Sequence, residues 1–113
     1  MMVVGSGMID VLIPQCRSLK EKRGILRHLL KRTQNEFNVS IAEVGANDEW
    51  KRARIGFCVV GNDKQYINAK MDHIMGFIDS MQVVEIVKTR MEIVGMADLM
   101  DPWEGEDGKY DEF

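Results

Sequence analysis

Hydrophobic and polar positions along this chain follow two periods, and the switches between them mark six elements. Val3 to Ile13 is an apolar run read as a first strand, interrupted at Gly5 and Gly7 and ended by Pro14. Leu19, Ile25, Leu26, Leu29, Leu30, Thr33 and Phe37 then share one arc of a helical wheel, which predicts an amphipathic helix from Leu19 to about Glu36. Ser18 followed by Glu21 is a capping-box pattern, so Ser18 is the expected N-cap. Asn38, a residue that tolerates left-handed backbone, is expected to end the helix.

Val39 to Val44 reads as a second strand, and 45–49 as a turn. From Lys51 to Val60, Ala53, Ile55, Phe57 and Val59 alternate with Arg52, Arg54, Gly56 and Cys58, the signature of a third strand with one buried and one open face. Asn62 or Asp63 caps a second helix, with Gln65 available for a capping box. On it Ile67, Met71, Ile74, Ile78 and Met81 recur at helical spacing, with Phe77 alongside. Val83 to Val94 reads as the last strand. Val83, Val87, Met91 and Ile93 are assigned to one parity, Lys88, Arg90 and Glu92 to the other.

The order β-α-β-β-α-β with two amphipathic helices predicts an α+β, ferredoxin-like domain: a four-stranded antiparallel sheet with both helices on one face. Right-handed crossovers place the first and third strands in the middle. The open face should carry Arg52, Arg54, Lys88 and Arg90, with Ser6, Met8 and Asp10 between them and Asp10 paired to an arginine.

Charge changes this picture. The 113 residues carry a net charge of -3. Residues 96–113 hold seven acids and one base, so that segment is -6 and residues 1–95 are +3. We therefore divide the chain into a domain, 1–95, and an acidic tail, 96–113, expected to be flexible and free to dock on the basic body. No apolar run approaches the ~20 residues that span a bilayer, and no secretory signal is evident, so a cytoplasmic protein is expected. Two cysteines, Cys16 and Cys58, and two scattered histidines suggest neither a disulfide framework nor a metal site, and no cofactor is expected.

The candidate chemistry lies at the first helix. Arg17 to Arg32 contains seven bases and one acid. Cations in a first helical turn oppose the macrodipole, whose positive end lies there, which invites an anion as the missing partner. Arg17, Ser18, Lys20, Lys22 and Arg23 are the expected phosphate contacts, extended by Arg27 and Lys31 along the helix and by Arg52 and Arg54 on the open sheet. Lys22 falls inside the apolar arc, so its stem should follow the core edge while its ammonium reaches out. The exposed aromatics of RNA-binding sheets are absent from the third strand. Trp50 is expected to be a packing anchor, and Ser40 and Glu43 receive no physical role.

Arg17-Ser18-Leu19-Lys20-Glu21-Lys22-Arg23, Phe37 to Val44, Asp48-x-Trp50-x-Arg52-Ala53 and Gly61-Asn62-Asp63 together resemble the YlxP-like family, small bacterial proteins of unassigned function, over roughly residues 3 to 94. The resemblance implies a ferredoxin-like fold. It also implies an RNA or ribosome connection, because genes of the family often sit among those for translation initiation and ribosome maturation. Gly45-Ala46 departs from the family's usually more polar turn, and the tail lies outside its domain.

Three functions follow. The first is a non-enzymatic RNA- or ribosome-associated domain. The second is a structural or regulatory homodimer, formed through the open sheet or a sheet edge and motivated by Met8, Leu12, Val44 and Val60. The third is an acylphosphatase-like enzyme with Arg17 at the helix start, weakened by the missing glycine-rich phosphate loop.

Overall fold

A computed structural model describes residues 1–96. The elements run β1 (Met2–Leu12), α1 (Leu19–Glu36), β2 (Ser40–Gly45), β3 (Arg52–Gly61), α2 (Lys64–Ser80) and β4 (Glu85–Met96). All strand pairs are antiparallel and the sheet order is β2-β3-β1-β4, so the two expected strands are central. The expected βαββαβ ferredoxin-like arrangement is what forms. The tail assigned to 96–113 lies, beyond Met96, outside the described residues.

Local chemistry sets the boundaries. Ser18 is the N-cap of α1, and its hydroxyl accepts from the Glu21 amide at 3.1 Å. Asp63, rather than Asn62, caps α2 and accepts from the Gln65 amide at 3.1 Å. Asn38 does not end α1 in a left-handed turn. Phe37 does so in extended conformation, with its amide donating to the Thr33 carbonyl. The left-handed positions are Ala46 and Gln82, both at φ 59°.

The core lies between the sheet and the helices. Val3, Ile9 and Val11 of β1 and Ala53, Ile55, Phe57 and Val59 of β3 meet Leu26 and Leu29 of α1 and Ile67, Met71, Ile74 and Ile78 of α2. Gly5 and Gly7 face the same way and leave room for their neighbours. A Cβ on Gly7 would stand 2.4 Å from the Phe57 ring, and one on Gly5 2.3 Å from Met71 Sδ. At the far end of α1, Phe37 and Phe77 meet edge to face at 5.5 Å, with the Arg32 guanidinium over the Phe77 ring.

Two irregularities alter the expected faces. Opposite β1, Asp10 pairs with Lys88 but Val11 pairs with Ile86, so Val87 is an extra residue in β4. A bulge shifts side-chain parity by one residue. Met91 and Ile93 keep the assigned helix-facing side, pairing with Gly7 and Gly5. Val83 and Val87 do not share it: Val84 and Ile86 turn inward, and Val87 stands 53% exposed. The second bulge places Val44 between the Glu43–Ile55 and Gly45–Arg54 pairs of β2 and β3.

Candidate functional site

The basic residues divide between two faces and the interior. Arg17, Lys20, Arg23, Arg27 and Lys31 are exposed on α1 and the loop before it. None of the five has an ion-pair partner among the described residues. Lys20, Arg23, Arg27 and Lys31 follow three-four spacing, so they form one ridge along the helix, about 16 Å from first to last at 1.5 Å per residue. At its N-terminal end, Arg17 and Lys51 border a polar depression of about 730 Å³ that Pro14, Gln15, Cys16 and Glu21 also line. The Ser18 oxygen accepts from the Glu21 amide as the helix cap, which leaves its O–H free to donate.

Lys22 corrects the expectation made for it. It is 1% exposed, and its ammonium does not reach solvent. Lys22 Nζ donates to the carbonyls of Ala46, at 2.7 Å, and Glu49, and lies 2.8 Å from Glu43 Oε2. Its place in the apolar arc was the reason: the side chain passes between helix and sheet and ends under the β2–β3 turn. With its donors used internally, Lys22 is no phosphate contact. Glu43 is the partner that sequence reasoning left without a role. Its parity was the available signal. It shares the inward side of β2 with Ile41, so a carboxylate and a lysine were both directed toward the same interior.

Arg52 and Arg54 lie on the open face of the sheet, behind the layer that carries α1, and do not join the ridge. Both are engaged. Arg54 Nε donates to Asp10 Oδ1 at 2.7 Å and Nη2 to Oδ2 at 3.2 Å, a bidentate pair, and Arg52 Nη1 lies 3.5 Å from Glu49 Oε1. The hydrogen bond from Arg54 holds the Asp10 carboxyl below its usual pKa, and the charges of Arg54, Lys88 and Arg52 add to this. Elsewhere on this face a shallow concavity of about 570 Å³ is floored by small residues, including Ser6, Ala42, Gly56 and Cys58.

Trp50 is not a packing anchor. It is 44% exposed at the tip of the β2–β3 turn, with Lys51 Nζ 5.8 Å from its ring centroid. Lys51 was absent from the expected site: it lies exposed just before β3, and the hydrogen bond from the Ile13 amide to its carbonyl ties it to the loop that leads to Arg17. Cys16 is buried, with its thiol donating to the Ser18 carbonyl at 3.2 Å. Among the described residues, no cluster of metal-ligating side chains occurs and no helix is long and apolar enough to cross a membrane.

These features define a small ferredoxin-like α+β domain with a basic helix outside and a buried lysine clamp beneath one turn. The chain belongs to a family described as "Protein of unknown function (DUF503)", whose pattern it matches over residues 4–91. It is 37% identical over 90 residues to the uncharacterized protein YlxP of Bacillus subtilis (strain 168), a match covering 80% of this chain and 98% of that protein. In three dimensions it resembles the de novo designed protein Foldit4 with a TM-score of 0.51, covering 85% of this chain and 99% of the other at 14% identity, a likeness of fold alone.

Proposed function

We propose that this protein is a non-enzymatic RNA-binding domain that associates with ribosomal RNA through the outer face of α1. One observation carries the reading. The exposed cations of α1 and its leading loop, Arg17, Lys20, Arg23, Arg27 and Lys31, have no carboxylate partner among the described residues, whereas Lys22, Arg52, Arg54 and Arg90 are ion-paired. Unneutralised cations in a row attract a polyanion and confer affinity through phosphates, without sequence preference. Lys51 and Trp50 extend the surface at the helix N-terminus, where an unpaired base can stack on the exposed indole.

The test is binding to ribosomal RNA fragments and to small ribosomal subunits across a salt series. Five phosphate contacts imply a slope of log affinity against log salt of about -4. The comparison is a Lys20→Glu/Arg23→Glu/Arg27→Glu variant, checked for folding by circular dichroism. Salt-sensitive binding lost in the variant is the expected result. Binding unchanged by the three reversals, or no binding by the parent protein at low salt, overturns the proposal.

A further inference from the structure

The outer edge of β4 is long and open among the described residues. β4 is an edge strand of twelve residues, all exposed or half-buried, and among the described residues its outward backbone groups face no other strand. Met91 is turned to the helix side, yet it is 39% exposed. A long edge with apolar side chains templates pairing with another strand.

We infer that a second copy of this chain occupies that edge, with the two β4 strands pairing antiparallel about a two-fold axis at Met91. The argument is self-complementarity. A two-fold axis perpendicular to the sheet keeps open-face residues opposite open-face residues, so few registers are allowed. With the axis at Arg90, that guanidinium meets its own copy, and with the axis at Glu92, two carboxylates meet. With the axis at Met91, Arg90 stands opposite Glu92 of the partner subunit and Glu92 opposite the partner's Arg90.

The same register places Met91 against the partner's Met91 and Thr89 against the partner's Ile93 on the helix side. It also sets Lys88 beside the partner's Val94. The regular part of the ladder then runs from Lys88 to Val94, and the bulge at Val87 ends it symmetrically in both copies. In the single chain, Arg90 Nη2 already lies 3.5 Å from Glu92 Oε1, and both side chains are well exposed, 71% and 60%. Pairing thus joins the loose contact of each copy into an alternating square of four charges on the open face of an eight-stranded sheet.

Charge swaps test this on the full chain. Sedimentation velocity over two decades of protein concentration should show a monomer–dimer equilibrium. Arg90→Glu alone faces two pairs of carboxylates, and Glu92→Arg alone faces two pairs of guanidinium groups. Each should weaken the dimer about tenfold or more. The double variant R90E/E92R restores opposite charges in this register and should recover the dimer. Because both residues are exposed, folding is expected to be unchanged, and circular dichroism on the same samples checks it. A monomer at every concentration, a dimer indifferent to both single swaps, or a double variant that stays dissociated overturns the inference.

Discussion

Lys22 Nζ lies 2.8 Å from Glu43 Oε2 beneath the β2–β3 turn, an ion pair between the first turn of α1 and an inward position of β2. Oε2 is buried without a hydrogen bond of good geometry, so its contact with Lys22 is electrostatic. The lysine hydrogen-bonds to two turn carbonyls instead. One side chain thereby ties helix, strand and turn together. Replacing Lys22 by Met strands the carboxylate and both carbonyls. It should cost roughly 3 kcal/mol in urea denaturation, since removing one partner of a buried pair is costly. Glu43→Gln keeps an acceptor and should cost only about 1 kcal/mol. The double variant should cost less than the sum, because the two changes remove one shared interaction.

The turn that Lys22 holds contains a strained residue. Ala46 has φ 59°, where a side chain other than Gly, Asn or Asp is disfavoured. Its carbonyl is fixed by both the Lys22 ammonium and the Glu49 amide. Ala46→Asn should therefore raise stability by about 0.5–1 kcal/mol, read as a higher denaturant midpoint with an unchanged slope.

Glycines in the sheet and in the helices should respond oppositely to alanine. Gly7→Ala drives a methyl into the Phe57 ring and should cost about 2 kcal/mol. Gly24 and Gly76 are helical positions where a Cβ meets nothing within 4 Å. Alanine at either should add about 0.5–1 kcal/mol through helix propensity and a less flexible unfolded chain. Thermal melting of the three variants separates the cases by sign.

The Asp10–Arg54 pair makes part of the stability depend on pH. Asp10 has a lowered pKa in the folded protein because Arg54 hydrogen-bonds its ionised form. Such a group stabilises the fold above its unfolded value of about 3.9, and the contribution disappears as pH falls through the folded value. Asp10→Asn should therefore melt below the parent at about pH 6, and the gap should close toward about pH 2. A gap that persists in acid would assign the effect to packing. Because the pair is partly exposed, added salt should shrink it.

Much of this was legible in residue spacing. The order of elements, the cap at Ser18, the core positions of both helices and β3, and the Asp10–arginine pair all follow from period and from local hydrogen-bonding preference. The β4 faces were misread at Val83 and Val87, because a bulge is a property of the pairing with β1 and leaves no mark in the strand's own pattern. The candidate site was half legible. The exposed ridge is a helical-wheel property, but the separation of Arg52 and Arg54 from it depends on the second layer.

The sequence by itself determined the βαββαβ order and the two periods that build it, since each depends on residues within a few positions of one another. It also determined that α1 presents a row of cations to solvent. Only the tertiary structure decided that Lys22 is not one of them. Its environment is built by Glu43, Ala46 and Glu49, more than twenty positions away, and donors so distant in sequence meet their acceptors only when β2, β3 and α1 pack together. The open flank beside Met91 was decided at the same level, because the strand order β2-β3-β1-β4 puts β4 at an edge of the sheet, with no strand beyond it among the described residues.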